Sequence, residues 1–278
     1  MRLRIPFLAD AWPVVRPVFV CLAAITIVAV AMAVKGWQTA SLGLGVAVVG
    51  LSVVLVLQVH RSVTRLRDQS AAVEAAAAEA EAHYAHVLTR IVRFVESRDR
   101  YIEGHSERVG RLSKKVAMQM GMPPDRADLL ELAGQLHDVG LLAVPAETLA
   151  QPKRISGEGF RRVKQHCEIG YEILQPLKHL GPALLAVRHH HERMNGTGYP
   201  DGLRSKNIPV EARILAVADA FDAMTHDRPH RRAIPPVEAI AELHRCSPAG
   251  YDPVCVEALS QVAFGLPLTR PSAVSVGC

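Results

Sequence analysis

Three consecutive histidines and a glutamate, His189-His190-His191-Glu192, end the apolar run Leu184-Leu185-Ala186-Val187, and the loop Asn195-Gly196-Thr197-Gly198-Tyr199-Pro200 follows. Imidazoles placed where a buried helix opens into a glycine-rich loop form the sequence pattern of a transition-metal site. Taken alone, the run also reads as a solvated histidine stretch. It does not stand alone: His137-Asp138 closes a second helical pattern, His105 and His166 stand on two more, and Asp219 lies in Ala216-Val217-Ala218-Asp219. Five helices would then converge on one polar centre.

The segments that must position these side chains read as helices throughout. Gly104 precedes His105, and Val109, Leu112 and Val116 recur at helical spacing until Gly121 and Pro123-Pro124. Asp125 is a candidate cap for the next helix, whose apolar face of Leu129, Leu132, Ala133 and Leu136 delivers His137 and Asp138 to its end. From a cap at Ser156, one helix with Phe160, Val163, Ile169 and Ile173 inward would carry His166 on the same face. Pro209 opens a helix bearing Ile214, Val217, Ala218 and Phe221, with Asp219 and Asp222 one turn apart. Two carboxylates on so apolar a helix require partners, because burying an unpaired charge is costly. No alternating run of strand length intervenes, and two further helices, about 236–245 and 252–263, close an all-α bundle.

The strings HDVG at 137–140, HHERMNGTGYPDGL at 190–203 and VADAFDAMTHDRPHR at 217–231 resemble the HD-GYP family of cyclic dinucleotide phosphodiesterases, a branch of the HD metal-dependent phosphohydrolases. The resemblance runs from about Arg98 to about Ala263. It implies an HD-type helical bundle with His105, His137, Asp138, His166, His190, His191 and Asp219 as metal ligands. Asp138 would bridge two ions, and His137 and Asp138 would stand at the catalytic centre. Iron or manganese is the implied pair; the glutamate that adds a third metal in some members is Tyr101 here. Two such ions would activate water for in-line attack on phosphorus, and cyclic-di-GMP would be opened to a linear dinucleotide. Arg228, Arg231 and Asp222 would serve the substrate, with Gly198, Tyr199 and Pro200 as a substrate or protein-partner surface. Leu141 stands where the family's HDxGK motif has lysine, and Asn195 where HHExxDGxGYP has aspartate. These departures keep a second reading open, a metal-binding but catalytically weak regulatory module that binds a cyclic dinucleotide or a protein. A third is an HD phosphohydrolase acting on another nucleotide.

The charge is uneven. Residues 1–70 carry seven Lys/Arg against two Asp/Glu, a surplus of five positive charges, and residues 71–278 carry 25 of each. A DNA- or RNA-binding domain would concentrate that surplus on its own fold. The five cysteines form no CxxC pair, which fits a reducing compartment rather than a disulfide framework. Pro17–Val34 and Ala40–Val59 are each close to the roughly 20 residues that cross a bilayer core. Read together they form a two-helix transmembrane hairpin; a signal peptide is the competing reading of the first. Arg2, Arg4, Arg16, Arg61, Arg65 and Arg67 flank the pair and Lys35 alone lies between, which puts both ends in the cytoplasm; the resemblance implies a bacterium, with the hairpin in its inner membrane. Val63, Leu66, Ser70, Val73, Ala77, Ala80, Tyr84, Val87, Ile91 and Phe94 then repeat at three-four spacing. That is the seam of a coiled coil joining two copies, or else a single extended linker helix. The expected organisation is an anchor at 1–60, a linker helix at 61–97, the phosphohydrolase domain at 98–265 and a tail at 266–278.

Overall fold

The computed structural model describes residues 38–97, 101–145, 157–228 and 231–265, with positions 23, 25–28, 30, 31, 34 and 148. Most of the first apolar run, the Ser156 cap, Pro229-His230 and the tail at 266–278 lie outside the described residues. The described residues are helical with no strand; two isolated bridges, Asn195 to Arg204 and Arg228 to Arg231, are the only ladder contacts among them.

Helix α1 runs Gln38–Glu96 without a break, so the anchor and linker expected to part at residue 60 form one helix of 59 residues, about 90 Å long. It is the one described helix long and apolar enough to cross a membrane, with an 18-residue stretch of mean hydropathy 2.1 that is 0% buried. A two-helix hairpin is not seen among the described residues. The chain divides into two compact units, Met1–Ala77 and Ala78–Cys278. The last turns of α1 thus belong to the second unit, ahead of the boundary expected at residue 98.

Those turns carry two apolar stripes. Ala85, Leu88 and Val92 are buried in the core. Tyr84 Oη donates to the Ile173 carbonyl at 3.0 Å, and the Glu81 carboxylate accepts from the His179 backbone N–H at 3.2 Å. The stripe read as a coiled-coil seam is a neighbouring one and stays open, with Val87 38%, Ile91 39% and Phe94 67% exposed. Both stripes recur at three-four spacing one residue apart, which is why a single periodicity count merges them.

In the second unit, α2 (His105–Gln119) and α3 (Pro124–Leu136) form an antiparallel pair over α7 (Val210–Thr225), with α8 (Pro236–Cys246) and α9 (Pro253–Phe264) closing one side. The α2–α3 crossing is exceptionally close: a Cβ on Gly134 would stand 2.7 Å from the Cα of Gly110. Val109, Val116, Leu130, Leu136, Ile214, Leu215, Val217, Leu243 and Leu259 fill the core. Helix α3 starts after Pro123 with no side-chain cap, and Asp125 lies in its first turn instead of capping it. The single helix expected after Ser156 is two, α4 (Gly157–Lys164) and α5 (His166–Leu174), broken at Gln165; Phe160 faces outward. Helix α6 (Ala183–His189) completes the set.

Because Leu88 sits in the core and Val87 on the open stripe, the two substitutions should differ in cost. Leu88→Ala is expected to lower the stability of the second unit by about 2–5 kcal/mol, the usual range for a buried leucine. Val87→Ala should cost under about 0.5 kcal/mol. Urea denaturation of the detergent-solubilised chain, read by a tryptophan-independent probe such as circular dichroism, checks both.

Candidate metal centre

Each histidine of the cluster is oriented from behind. The Nδ1–H groups of His137, His166 and His190 donate to the carbonyls of Gly134, Val163 and Val187, three residues earlier, at 2.8, 2.6 and 2.8 Å. A carbonyl can only accept, so Nδ1 carries a proton, and in the neutral ring Nε2 is the lone pair that faces the centre. His105 is held differently: its Nδ1 donates to Asp222 Oδ2 at 2.7 Å, and Asp222 in turn accepts from Arg108 Nε at 2.6 Å and Nη2 at 3.0 Å. Such outer partners fix the ring and raise its donor strength.

The donor atoms gather in two groups. His105, His137 and Asp138 form one, and Asp219 Oδ1 joins it 3.4 Å from His105 Nε2. His166, Cys167, His190 and His191 form the other, with all their donor atoms within 4.8 Å of one another. Asp138 faces both: Oδ2 is 3.4 Å from His137 Nε2 and Oδ1 is 3.3 Å from His166 Nε2. The residues fit a metal on their own chemistry. His166 Nε2 and His190 Nε2 are 3.3 Å apart, and two lone pairs that close repel unless a cation or proton lies between them. The imidazole and carboxylate donors suit divalent transition metals.

Local packing delivers these groups. A Cβ on Gly140 would stand 2.0 Å from the His166 carbonyl, so only glycine lets the 3₁₀ turn Val139–Ala143 seat Asp138 against α5. Helix α3 ends at His137 as its C-cap, and α5 begins at His166. Of the three consecutive histidines, His190 and His191 enter the centre, whereas His189 Nε2 turns to Asp201 at 2.8 Å. Buried Glu192 closes the following loop by accepting from the backbone N–H groups of Asp201 at 2.7 Å and Leu203 at 3.1 Å.

The electrostatics of the two groups differ. Burial alone would depress His105, but the Asp219 and Asp222 carboxylates outweigh it and raise its pKa to about 10. Burial lowers His191 to about 4, and burial with the neighbouring imidazoles holds His190 well below the usual histidine range. Burial opposes ionisation of Asp138 and Asp219, yet the surrounding imidazoles keep both below the ordinary carboxylate range.

The expected substrate residues divide. Tyr199 stacks 4.9 Å from the His191 ring, beside Pro200. Gly198 is obligatory, since a Cβ would meet Glu192 Cα and Arg193 N at 2.4 Å. Asp222, expected to touch substrate, is instead buried behind His105, where Arg108 and His226 surround its carboxylate. The Arg231 guanidinium, expected on phosphate, bonds the Met224 and Ala223 carbonyls that end α7. Arg228 pairs with Arg231 through the backbone, and its side chain is half-buried. Lys164 was not singled out from the sequence, yet its Nζ lies 4.8 Å from the Phe160 ring centre and 5.4 Å from that of Tyr199. The i,i+4 pairing of Phe160 with Lys164 was the available signal. For Arg108 it was the matched three-residue offset of His105–Arg108 and Asp219–Asp222.

With its pKa raised to about 10, metal-free His105 is protonated at neutral pH, so a metal that takes its Nε2 must displace a proton. Calorimetric titration with manganese at pH 7 in buffers of different ionisation enthalpy should show at least one proton released per chain. The apparent affinity should rise roughly tenfold per pH unit for each proton displaced. Release of none would contradict this arrangement.

Residues 90–254 match the HD domain family. The chain is 39% identical over 185 residues to the cyclic di-GMP phosphodiesterase response regulator RpfG of Xanthomonas campestris, covering 65% of this chain and 48% of that protein. It is 39% identical over 176 residues to a cyclic di-GMP phosphodiesterase of Thermotoga maritima, covering 62% and 47%. It is 32% identical over 187 residues to the 3′3′-cGAMP-specific phosphodiesterase 3 of Vibrio cholerae, covering 67% and 41%. The chain therefore spans about half the length of the curated relatives it matches. Among solved structures, Bd1817, an HDG"Y"P protein from Bdellovibrio bacteriovorus, superposes with a TM-score of 0.52 at 24% identity over 68% of this chain and 65% of that one, which shows the fold. The matched span takes in the two donor groups from His105 to Asp219 together with the Gly198-Tyr199-Pro200 loop, and the chain belongs to the HD domain family, in its HD-GYP branch.

Proposed function

We propose that this chain is a membrane-tethered cyclic-di-GMP phosphodiesterase whose hydrolytic centre holds two divalent transition-metal ions, iron or manganese. The observation that carries the reading is the position of Asp138, whose two carboxylate oxygens face the two donor groups at 3.4 and 3.3 Å. His105, His137, Asp138 and Asp219 would hold one ion, and His166, His190, His191 and Asp138 the other. Such ions supply Lewis-acid activation of water and neutralise charge on a phosphate. The chain's own residues do the rest. The backbone-anchored imidazoles keep their lone pairs inward, Arg108 and Asp222 hold His105 against rotation, and Tyr199 with Lys164 offers an aromatic and cationic wall beside His191. Arg228 remains the arginine for substrate phosphate, whereas Arg231 ends α7. Relatives named for cyclic di-GMP and for 3′3′-cGAMP support a cyclic dinucleotide as substrate.

A second reading, a catalytically weak regulatory module, draws on Leu141, an apolar side chain where the family has lysine. Asn195 lends it little. Its Oδ1 accepts from Thr197 N–H at 3.0 Å and Oγ–H at 2.7 Å, a turn-forming role that does not require charge. Tethering rests on the apolar part of α1, with the two-helix hairpin, the inner membrane and the cytoplasmic catalytic unit kept as part of the proposal. The open stripe Val87–Ile91–Phe94 is the surface for pairing two copies, and the Gly198–Pro200 loop is the surface for a signalling protein.

Asp138→Ala should remove most bound metal, because one carboxylate serves both groups; elemental analysis of both proteins is the check, and a wild type without transition metal would refute the centre. Leu141→Lys should raise single-turnover hydrolysis of cyclic-di-GMP at least about tenfold at matched metal content, or roughly 1.4 kcal/mol in the barrier. No hydrolysis by either protein, with tight nucleotide binding, would favour the regulatory reading. For pairing, Val87→Glu with Ile91→Glu puts like charges into the stripe and should yield a monomer by light scattering in detergent. An unchanged mass would rule the seam out.

A further inference from the structure

Cys167 has no place in the family's ligand set, yet it lies inside the second donor group. It is fully buried, and its Sγ is 3.5 Å from His166 Nε2. With His166, His190 and His191 it forms a set of donor atoms all within 4.8 Å of one another. The spacing has a simple geometric meaning. For two donors about 110° apart on one ion, with metal–nitrogen bonds of about 2.05 Å and a metal–sulfur bond of about 2.3 Å, two nitrogens are about 3.3 Å apart and a nitrogen and a sulfur about 3.5 Å. The observed edges are 3.3 Å between the His166 and His190 nitrogens and 3.5 Å between His166 Nε2 and Cys167 Sγ. A second observation points the same way: the His191 ring is packed against His166, His190 and Tyr199, with ring centres 5.2, 4.2 and 4.9 Å away, in a position that brings its donor atom into the same group.

We infer that Cys167 is a metal ligand, adding a sulfur donor to the His166, His190, His191 and Asp138 half of the centre. On binding, the thiol gives its proton to solvent and the sulfur lone pair to the metal, with no change of oxidation state. The two half-sites then differ in softness. His105, His137, Asp138 and Asp219 present nitrogen and oxygen only, whereas the Cys167 half adds a thiolate, which favours zinc or ferrous iron over manganese. A chain with this residue would hold different metals in its two positions when both are offered. The inference rests on the reading of the histidines as metal ligands, and its test separates the two.

The experiment is X-ray absorption at the metal edge of the full chain in detergent, loaded with zinc or, anaerobically, with ferrous iron, beside elemental analysis. Wild type should show a sulfur scatterer at about 2.3 Å that disappears in Cys167→Ser and in Cys167→Ala, a second variant in case one folds poorly. In competition, the preference for zinc over manganese should fall about tenfold or more in either variant, the scale of a lost metal contact. Bound metal without a sulfur scatterer, or a sulfur signal unchanged in the variants, overturns the inference and leaves the histidine ligands standing. A wild type that binds no metal at all overturns both.

Discussion

Three backbone carbonyls set the orientation of the buried histidine cluster. By accepting from Nδ1 of His137, His166 and His190, the Gly134, Val163 and Val187 carbonyls fix each imidazole as the tautomer whose Nε2 lone pair points into the centre. Without that constraint each ring would have two tautomers and a free torsion, and the donor set would be one arrangement among many. Each carbonyl lies one turn before its histidine, at or near a helix end where carbonyls lack intrahelical partners. The helix termini thus serve twice, ending an element and orienting an imidazole.

Bringing those termini together imposes the packing. Gly110 against Gly134 lets α2 and α3 touch backbone to backbone, and Gly140 does the same between the 3₁₀ turn and the start of α5. A methyl group at any of these positions would clash with backbone and push a histidine-bearing segment outward. The second constraint is charge. Two carboxylates on the apolar α7 are held by opposite means: Asp219 faces the imidazoles, and Asp222 sits between His105, Arg108 and His226. The costly burial of each is offset by a partner that also orients the centre.

The gathering of these residues was legible in the sequence because their types are rare and their spacing is set by helix ends: the seven residues expected to be ligands stand in or beside two groups that could hold a metal. The closing helices at 236–246 and 253–264 were legible to within a residue, since Pro235-Pro236 and Pro253 mark their starts. What escaped was whatever depends on a third dimension. The break at Gln165 leaves no mark in the apolar periodicity, so Phe160 was placed inward. Asp222 and Arg231 have the residue types of substrate contacts, and only the fold shows that one buttresses His105 and the other ends α7. The core-facing stripe of α1 was hidden by the adjacent open one. Cys167 was passed over because a cysteine beside a histidine has no spacing signature.

The most direct test of a shared-carboxylate, two-ion centre is anomalous diffraction from crystals of the metal-loaded protein. The account predicts two peaks per chain flanking Asp138, one by His105, His137 and Asp219 and the other by His166, His190 and His191. A single peak at full metal loading, or two peaks not bridged by the Asp138 carboxylate, would contradict it.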